Sequence, residues 1–169
     1  ILPELNRTGR LRGIIAVDGH DPDPLRRLAA ANSADADGTY ALAERLRVSN
    51  AERKRLTSTA AHEGEIVADI DARSSRQLLY RLGAQTFTDL VYLGWAQDPT
   101  ETCAWRHQLQ AAACWSRPAL PVGGADVIAL GVPRGPKVGK VLEQVEAWWI
   151  KGDFKADREK CLQKLVRIR

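Results

Sequence analysis

The chain contains no methionine among its 169 residues and begins at Ile1. We therefore expect a fragment, a processed chain or an excised domain of a longer protein. Its three cysteines, Cys103, Cys114 and Cys161, are an odd number without Cys-x-x-Cys spacing. This pattern favours buried free thiols in a reducing cytosol over disulfides or a structural metal site, so we expect a cytoplasmic protein. No apolar run approaches the roughly 20 residues that cross a bilayer, so we expect no membrane association.

The motifs of common catalytic sites are also missing. Glycine stands at every fourth position from Gly131 to Gly139, which matches neither a P-loop nor a dinucleotide fingerprint. Asp35 and Asp37 have the spacing of a metal-binding pair, but they lie at a predicted helix start beside Gly38, where capping explains them. We predict that this chain performs no catalysis and holds no cofactor or metal of its own.

Positive charge is concentrated at one end of the chain. From Arg134 onward there are ten Lys and Arg residues against five Asp and Glu, whereas the preceding part has fifteen against sixteen. The whole excess of positive charge therefore lies in the last fifth of the sequence. Such asymmetry favours a polyanionic partner for that end, although a basic helical segment can also be merely solvated.

Nearly every segment has the apolar spacing of a helix, so the predicted fold class is all-α. Steps of three and four are clearest in residues 86–95, 100–115 and 156–169. The stretch SRPALPVGG, residues 116–124, has two prolines and two glycines within nine residues and marks the best domain boundary. We predict a multi-helix body over residues 1–117 and a small basic helical tail over 118–169.

Several polar residues are predicted to cap helices. Ser49 and Glu52 have the spacing of a capping box, and Asp71 or Ser74 could begin the helix that Gly83 ends.

A second acidic cluster superficially resembles a loop for a hard metal ion. Its prolines and the absence of a closing glutamate favour a loop with helix caps. The residues are Asp18, His20, Asp21 and Asp23.

The tail is predicted to be built on a helix-hairpin-helix-like turn at residues 131–136. Val138, Leu142, Val145 and Trp149 form one apolar face of the second helix, and Pro136 suits its first turn. A helix N-terminus that follows two glycines, with Arg and Lys nearby, can bind a backbone phosphate. The alternative from the residues alone is an ordinary helical hairpin with a solvated basic edge.

The stretch PVGGADVIALGVPRGPKVGKVLEQVEAWWIKGDF resembles the C-terminal region of bacterial class II tRNA nucleotidyltransferases and poly(A) polymerases. Upstream, residues 23–30 and 45–56 are similar to body-domain helices of that family, and LPEL at residues 2–5 resembles the end of its neck domain. The residues that match the family's tail element are Gly124, Asp126, Val127, Gly131, Val132, Gly135, Pro136, Val138 and Gly139.

The resemblance implies a parent enzyme that adds nucleotides to an RNA 3′ end with magnesium and CTP or ATP. The catalytic head of that family is absent from this chain, so the resemblance implies only body and tail. Asp23 and Arg27 lie in a D-P-L-R-like segment that also occurs in the nucleotide-selecting neck, but Pro22 stands where the neck motif has Glu. We therefore place this segment in the body and assign it no nucleotide.

What the resemblance implies for this chain is that it holds tRNA so that the 3′ end reaches the head. The residues expected to contact RNA are Arg134, Gly135, Lys137, Lys140, Lys160, Lys164 and Arg167.

Two other functions remain open at this point. A stand-alone helix-hairpin-helix-type module would bind nucleic acid without a nucleotidyltransferase head, and a structural or interaction domain would bind none. Trp148, next to Trp149, has no obvious inward partner, which indicates possible self-association.

Overall fold

In the computed structural model, every regular element of the described residues is an α-helix, which confirms the predicted fold class. The structure describes residues 2–19, 22–32 and 34–168, with side chains from Gly9 onward. The helices are α1 (Leu2–Val17), α2 (Pro24–Ala31), α3 (Ala36–Arg45), α4 (Asn50–Ala61), α5 (Ala72–Leu82), α6 (Ala84–Gln97), α7 (Thr102–Ala113), α8 (Gly124–Ala129), α9 (Pro136–Lys151) and α10 (Arg158–Ile168).

The chain divides into two compact units, residues 1–115 and 116–169. In the first unit α6 is the central helix and packs against α1, α2, α4, α5 and α7. Two glycines allow α1 and α7 to pack closely against α6. A Cβ on Gly13 of α1 would lie 2.3 Å from the carbonyl oxygen of Ala96, and one on Gly94 would lie 2.6 Å from the Trp105 ring. Gly13, which lowers the helix propensity of α1, is thus required by packing against α6.

Local capping begins the helices where the sequence predicts it. Ser49 and Glu52 form both hydrogen bonds of the capping box at α4. The Asp71 carboxylate caps α5 by accepting from two backbone N–H groups, and Gly83 ends that helix with a φ of +81°. Asp35 caps α3 through the N–H of Gly38, as the capping interpretation of that residue predicts.

A buried ion cluster joins α2, α4 and α6 to the end of α1. Asp89 of α6 is 2% exposed, and its carboxylate accepts hydrogen bonds from Arg55 of α4 at 2.6 and 2.7 Å and from Arg26 of α2 at 3.3 Å. Arg26 also donates to Asp18 at 2.6 Å, and its guanidinium lies 4.0 Å from the ring centroid of Tyr92. We call this set the α2 ion cluster, and its charged members are Asp18, Asp23, Arg26, Arg27, Arg55 and Asp89.

The α2 ion cluster explains two residues of the acidic segment, Asp18 and Asp23. Asp23 caps α2 through the backbone N–H groups of Leu25 and Arg26 and pairs with Arg55 at 2.5 Å. Burial opposes ionisation of Asp23, but the hydrogen bonds from Arg55 and the α2 backbone outweigh it and lower the carboxyl pKa. His20 and Asp21 of the same predicted loop lie outside the described residues.

Burial differs between two neighbouring isoleucines and among the three cysteines. Ile14 is fully buried whereas Ile15 is 51% exposed, because adjacent residues on a helix point about 100° apart. The expectation of buried thiols holds for Cys161 but is wrong for Cys103 and Cys114, which are exposed. These two lie on the outer side of α7 and just beyond its end.

The second unit has its own small core between α8, α9 and α10. The core side of α9 runs through Val141, Val145 and Trp149, whereas Val138 and Leu142 of the predicted apolar face are only half-buried. The Trp149 indole donates to the carbonyl oxygen of Ala156 at 3.0 Å. Other buried residues of this unit are Val122, Val127, Val132, Cys161 and Leu165.

Candidate nucleic-acid interface

The hairpin between α8 and α9 is shaped by two glycines with left-handed backbone angles. Gly131 follows α8 with a φ of +91°, and Gly135 precedes α9 with a φ of +143°. A side chain at either position would be strained, because L residues rarely adopt such angles. Val132, between them, is 5% exposed and anchors the loop in the core of the unit. The glycines therefore fix where α9 begins.

Asp126 and Arg158 hold the other side of this hairpin in place. The Asp126 carboxylate accepts from the N–H of Gly123 at 2.8 Å, which caps α8, and from Arg158 of α10 at 2.5 Å. Arg158 also donates to the carbonyl oxygen of Pro121 at 2.7 Å. The Gly123 N–H and then the Arg158 guanidinium lower the pKa of Asp126. Arg158, which the sequence interpretation did not single out, is thus a structural cation.

The N-terminus of α9 has no side-chain cap. Gly135 occupies the N-cap position and Pro136 the first turn, and the N–H of Val138 bonds the Gly135 carbonyl oxygen at 3.0 Å. Helix N-termini carry a partial positive charge and leave N–H groups without intrahelical partners. The local field at this end of α9 therefore favours an anion.

Three predicted site residues near that helix start are exposed cations. Arg134, Lys137 and Lys140 form no salt bridge with any residue whose side chain is described. Since they have no acidic partner in that part of the protein, binding a phosphate would not require breaking an existing ion pair. These three cations lie close along the chain to the α9 N-terminus, and we call the set the hairpin site: Arg134, Gly135, Lys137 and Lys140.

The predicted site residues of α10 have more varied surroundings. Lys160 is exposed and its ammonium lies 3.3 Å from the Asp157 carboxylate, so its charge is partly offset. The Lys164 ammonium lies 5.7 Å from the ring centroid of Trp148 on α9, within the range of a cation–π contact. Arg167 is exposed in the last turn. The structure thus brings Lys164 against α9.

Neither unit has a candidate metal site among its described residues. Across residues 2–19, 22–32 and 34–168, no group of three or more His, Cys, Asp or Glu side chains could hold a metal ion. None of the helices searched in that part of the chain combines the length and the apolar character of a membrane span.

A charged cleft of about 470 Å³ lies beside the α2 ion cluster in the first unit. Its wall includes Asp23, Arg26 and Arg55. Because these arginines already hold carboxylates at 2.5 to 3.3 Å, the cleft offers little free positive charge to an anionic ligand.

Comparison with known proteins gives two distant relatives. No family model matches the chain. It is 24% identical over 153 residues to the human CCA tRNA nucleotidyltransferase 1, mitochondrial, an alignment that covers 86% of this chain and 33% of that protein. It is 33% identical over 81 residues to the "Uncharacterized 28 kDa protein in petA 5′region" of Rhodospirillum rubrum, covering 43% of this chain and 29% of that protein.

The chain thus spans a third or less of the length of the curated relatives that it matches. Its likeness to the human enzyme is weak in identity but extends over most of the chain. At this level, the chain has a distant sequence similarity to a tRNA nucleotidyltransferase.

Proposed function

We propose that this chain is the C-terminal, RNA-binding part of a tRNA nucleotidyltransferase or poly(A) polymerase. It positions the acceptor arm of tRNA so that the 3′ end reaches a separate catalytic head. The observation that carries this proposal is the hairpin site, where exposed cations that form no ion pair with any described side chain lie beside a helix N-terminus without a side-chain cap. The distant similarity to a tRNA enzyme supports RNA as the polyanion.

Structured RNA is bound mostly through its phosphates and its shape, and Lys and Arg supply an attraction that weakens with salt. Such binding needs cations on a rigid framework rather than on a mobile chain, because ordering a long side chain and its backbone costs entropy. The two glycine turns and the Asp126–Arg158 pair provide that framework.

This chain binds the RNA, and the head adds the nucleotides. Magnesium and CTP or ATP belong to the head domain of the whole protein, and no residue described above is assigned to them. The partners of this chain are therefore the tRNA and the head domain. By binding the tRNA, this chain lowers the entropic cost of holding the RNA 3′ end at the catalytic head.

The test is a salt series of tRNA binding by filter retention or fluorescence anisotropy. The variant replaces Arg134, Lys137 and Lys140 by alanine, and a control of equal charge replaces three exposed cations of the first unit. If the hairpin site binds three phosphates, the slope of log affinity against log salt becomes shallower by about 3 in the variant only. The control positions are Arg12, Arg45 and Lys54, each exposed.

Two results would point to the other functions. Equal affinity for tRNA and for a DNA duplex of matched length would favour a stand-alone helix-hairpin-helix-type module. An unchanged salt slope in the triple alanine variant, or no tRNA binding at all, would refute the proposal and favour a structural or interaction domain.

A further inference from the structure

One side of α9 carries a row of mostly polar residues, of which Lys137 and Lys140 of the hairpin site are the first two. Starting from Lys137, steps of three and four residues lead along the same side of the helix to Lys151. The two acidic residues of the helix, Glu143 and Glu146, lie roughly 100° and 160° around the axis from the centre of this row. We call the row the α9 face, and its residues are Lys137, Lys140, Gln144, Trp148 and Lys151.

The α9 face has cations at both ends and a neutral amide in its middle. Lys137 and Lys140 lie at the N-terminal end. At the other end Lys151 is exposed, and α10 adds the Lys164 ammonium at 5.7 Å from the Trp148 ring. Positions 140 and 148 are about 12 Å apart along the axis at 1.5 Å per residue. Gln144 lies midway, exposed, and its amide forms no hydrogen bond with any residue whose side chain is described.

This order of charges fits one class of polyanion better than others. The minor groove of an A-form RNA duplex is wide and shallow, exposes ribose 2′-hydroxyls and has a phosphate strand on each side. Cations at the two ends of the α9 face would meet the two strands. The Gln144 amide, which both donates and accepts, would meet the 2′-hydroxyls between them.

The surroundings of Trp148 argue against a single-stranded ligand. Single strands are held by aromatic rings on which successive bases stack. Here Trp148 is half-buried, and the Lys164 ammonium makes a cation–π contact with its ring. The face offers no series of open rings, so duplex RNA is the better occupant.

We infer that α9 lies across the minor groove of an A-form RNA duplex, with Gln144 contacting ribose 2′-hydroxyls. This inference rests on the proposed function, because it names the part of the RNA that the basic unit would hold. It adds a residue that distinguishes RNA from DNA through the ribose 2′-hydroxyls.

The test compares three hairpins of the same sequence: RNA, 2′-fluoro RNA and DNA. The 2′-fluoro form keeps the A-form shape but has no hydroxyl to donate. We expect the chain to bind the RNA hairpin about 3- to 10-fold more tightly than the 2′-fluoro hairpin, the range of one ordinary hydrogen bond. Gln144→Ala should remove that preference and leave the affinity for the 2′-fluoro hairpin unchanged.

A matched control is Gln110→Ala, which removes an exposed amide from α7 in the first unit and should change neither affinity. Equal binding of the RNA and 2′-fluoro hairpins, or equal weakening of both by Gln144→Ala, would overturn this inference alone. Failure of the unmodified chain to bind the RNA hairpin would overturn the proposed function as well.

Discussion

Replacing Asp89 by asparagine tests how far the α2 ion cluster holds the first unit together. The substitution keeps the side-chain shape but removes the negative charge that faces Arg26 and Arg55. Those guanidinium groups belong to side chains that are only 8% and 20% exposed, and Asp89 is the buried carboxylate they share. The amide nitrogen of an asparagine would also turn one acceptor into a donor toward guanidinium donors.

The expected loss of unfolding free energy follows from the two arginines that remain after the substitution. Removing one partner of a buried ion pair costs about 3–5 kcal/mol when the charge left behind has no other partner. Here Arg26 keeps Asp18 and Arg55 keeps Asp23, so we expect the smaller loss of about 1–3 kcal/mol that comes from leaving buried donors unsatisfied. Since a typical domain is stable by about 5–15 kcal/mol, this loss is a large share of the total. We therefore expect Asp89→Asn to unfold at a clearly lower urea midpoint. Circular dichroism at 222 nm measures that midpoint.

The control is the same chemical change at an exposed site. Asp71→Asn keeps the N-cap of α5, because asparagine caps about as well as aspartate, and should leave the urea midpoint nearly unchanged. If Asp89→Asn were as mild as Asp71→Asn, the α2 ion cluster would contribute little, and the apolar packing around α6 would suffice.

Three further outcomes are expected. Gly135→Ala should lower the unfolding free energy of the second unit by about 1–3 kcal/mol, because its φ of +143° suits glycine alone, and should weaken tRNA binding by moving the start of α9; an unchanged denaturation midpoint would contradict this. The lowered pKa of Asp126 implies that its contribution to stability is complete above its ordinary value of 3.8 and is lost as pH falls through the lower folded value. In an acid titration followed by circular dichroism, Asp126→Asn should therefore lose less stability below pH 3.8 than the unsubstituted chain. Cys103 and Cys114 are exposed and should react with a thiol reagent in the folded protein, while Cys161, buried and with a raised pKa, should react only on unfolding; three equally fast thiols would contradict the burial described.

Local chemistry predicted the helices well because their signals are short-range. A capping box needs only Ser49 and Glu52, three residues apart, and a helix stop needs only Gly83. The hairpin glycines were equally readable, since a turn between two helices commonly requires positive φ. These features depend on neighbours in sequence, so an isolated sequence suffices to find them.

The α2 ion cluster could not be predicted in this way. Arg55 and Asp89 are 34 residues apart, and Asp18 and Asp89 both meet Arg26 only after three helices have packed. In sequence the acidic members resemble caps or metal ligands, and the arginines resemble solvated cations. Their partners are fixed by tertiary packing, for which the sequence pattern has no local signal.

The candidate site was only partly accessible from sequence. Charge counting located the basic end, but it gave Lys160 and Lys140 equal weight, although Lys160 lies beside Asp157 and Lys140 has no such neighbour among the described side chains. It also missed that Lys164 lies over Trp148, because that contact joins two helices. Whether any of these residues touches RNA stays a prediction.

The central claim is that RNA is held at the start of α9 in the second unit. Amide hydrogen exchange of the chain with and without saturating tRNA tests this claim most directly, because it locates the contact on the backbone. We predict slower exchange of the backbone amides of residues 137–141 on addition of tRNA, with residues 103–113 of α7 unchanged as an internal reference. Protection confined to the first unit, or no protection near residue 137 when tRNA is bound, would contradict it.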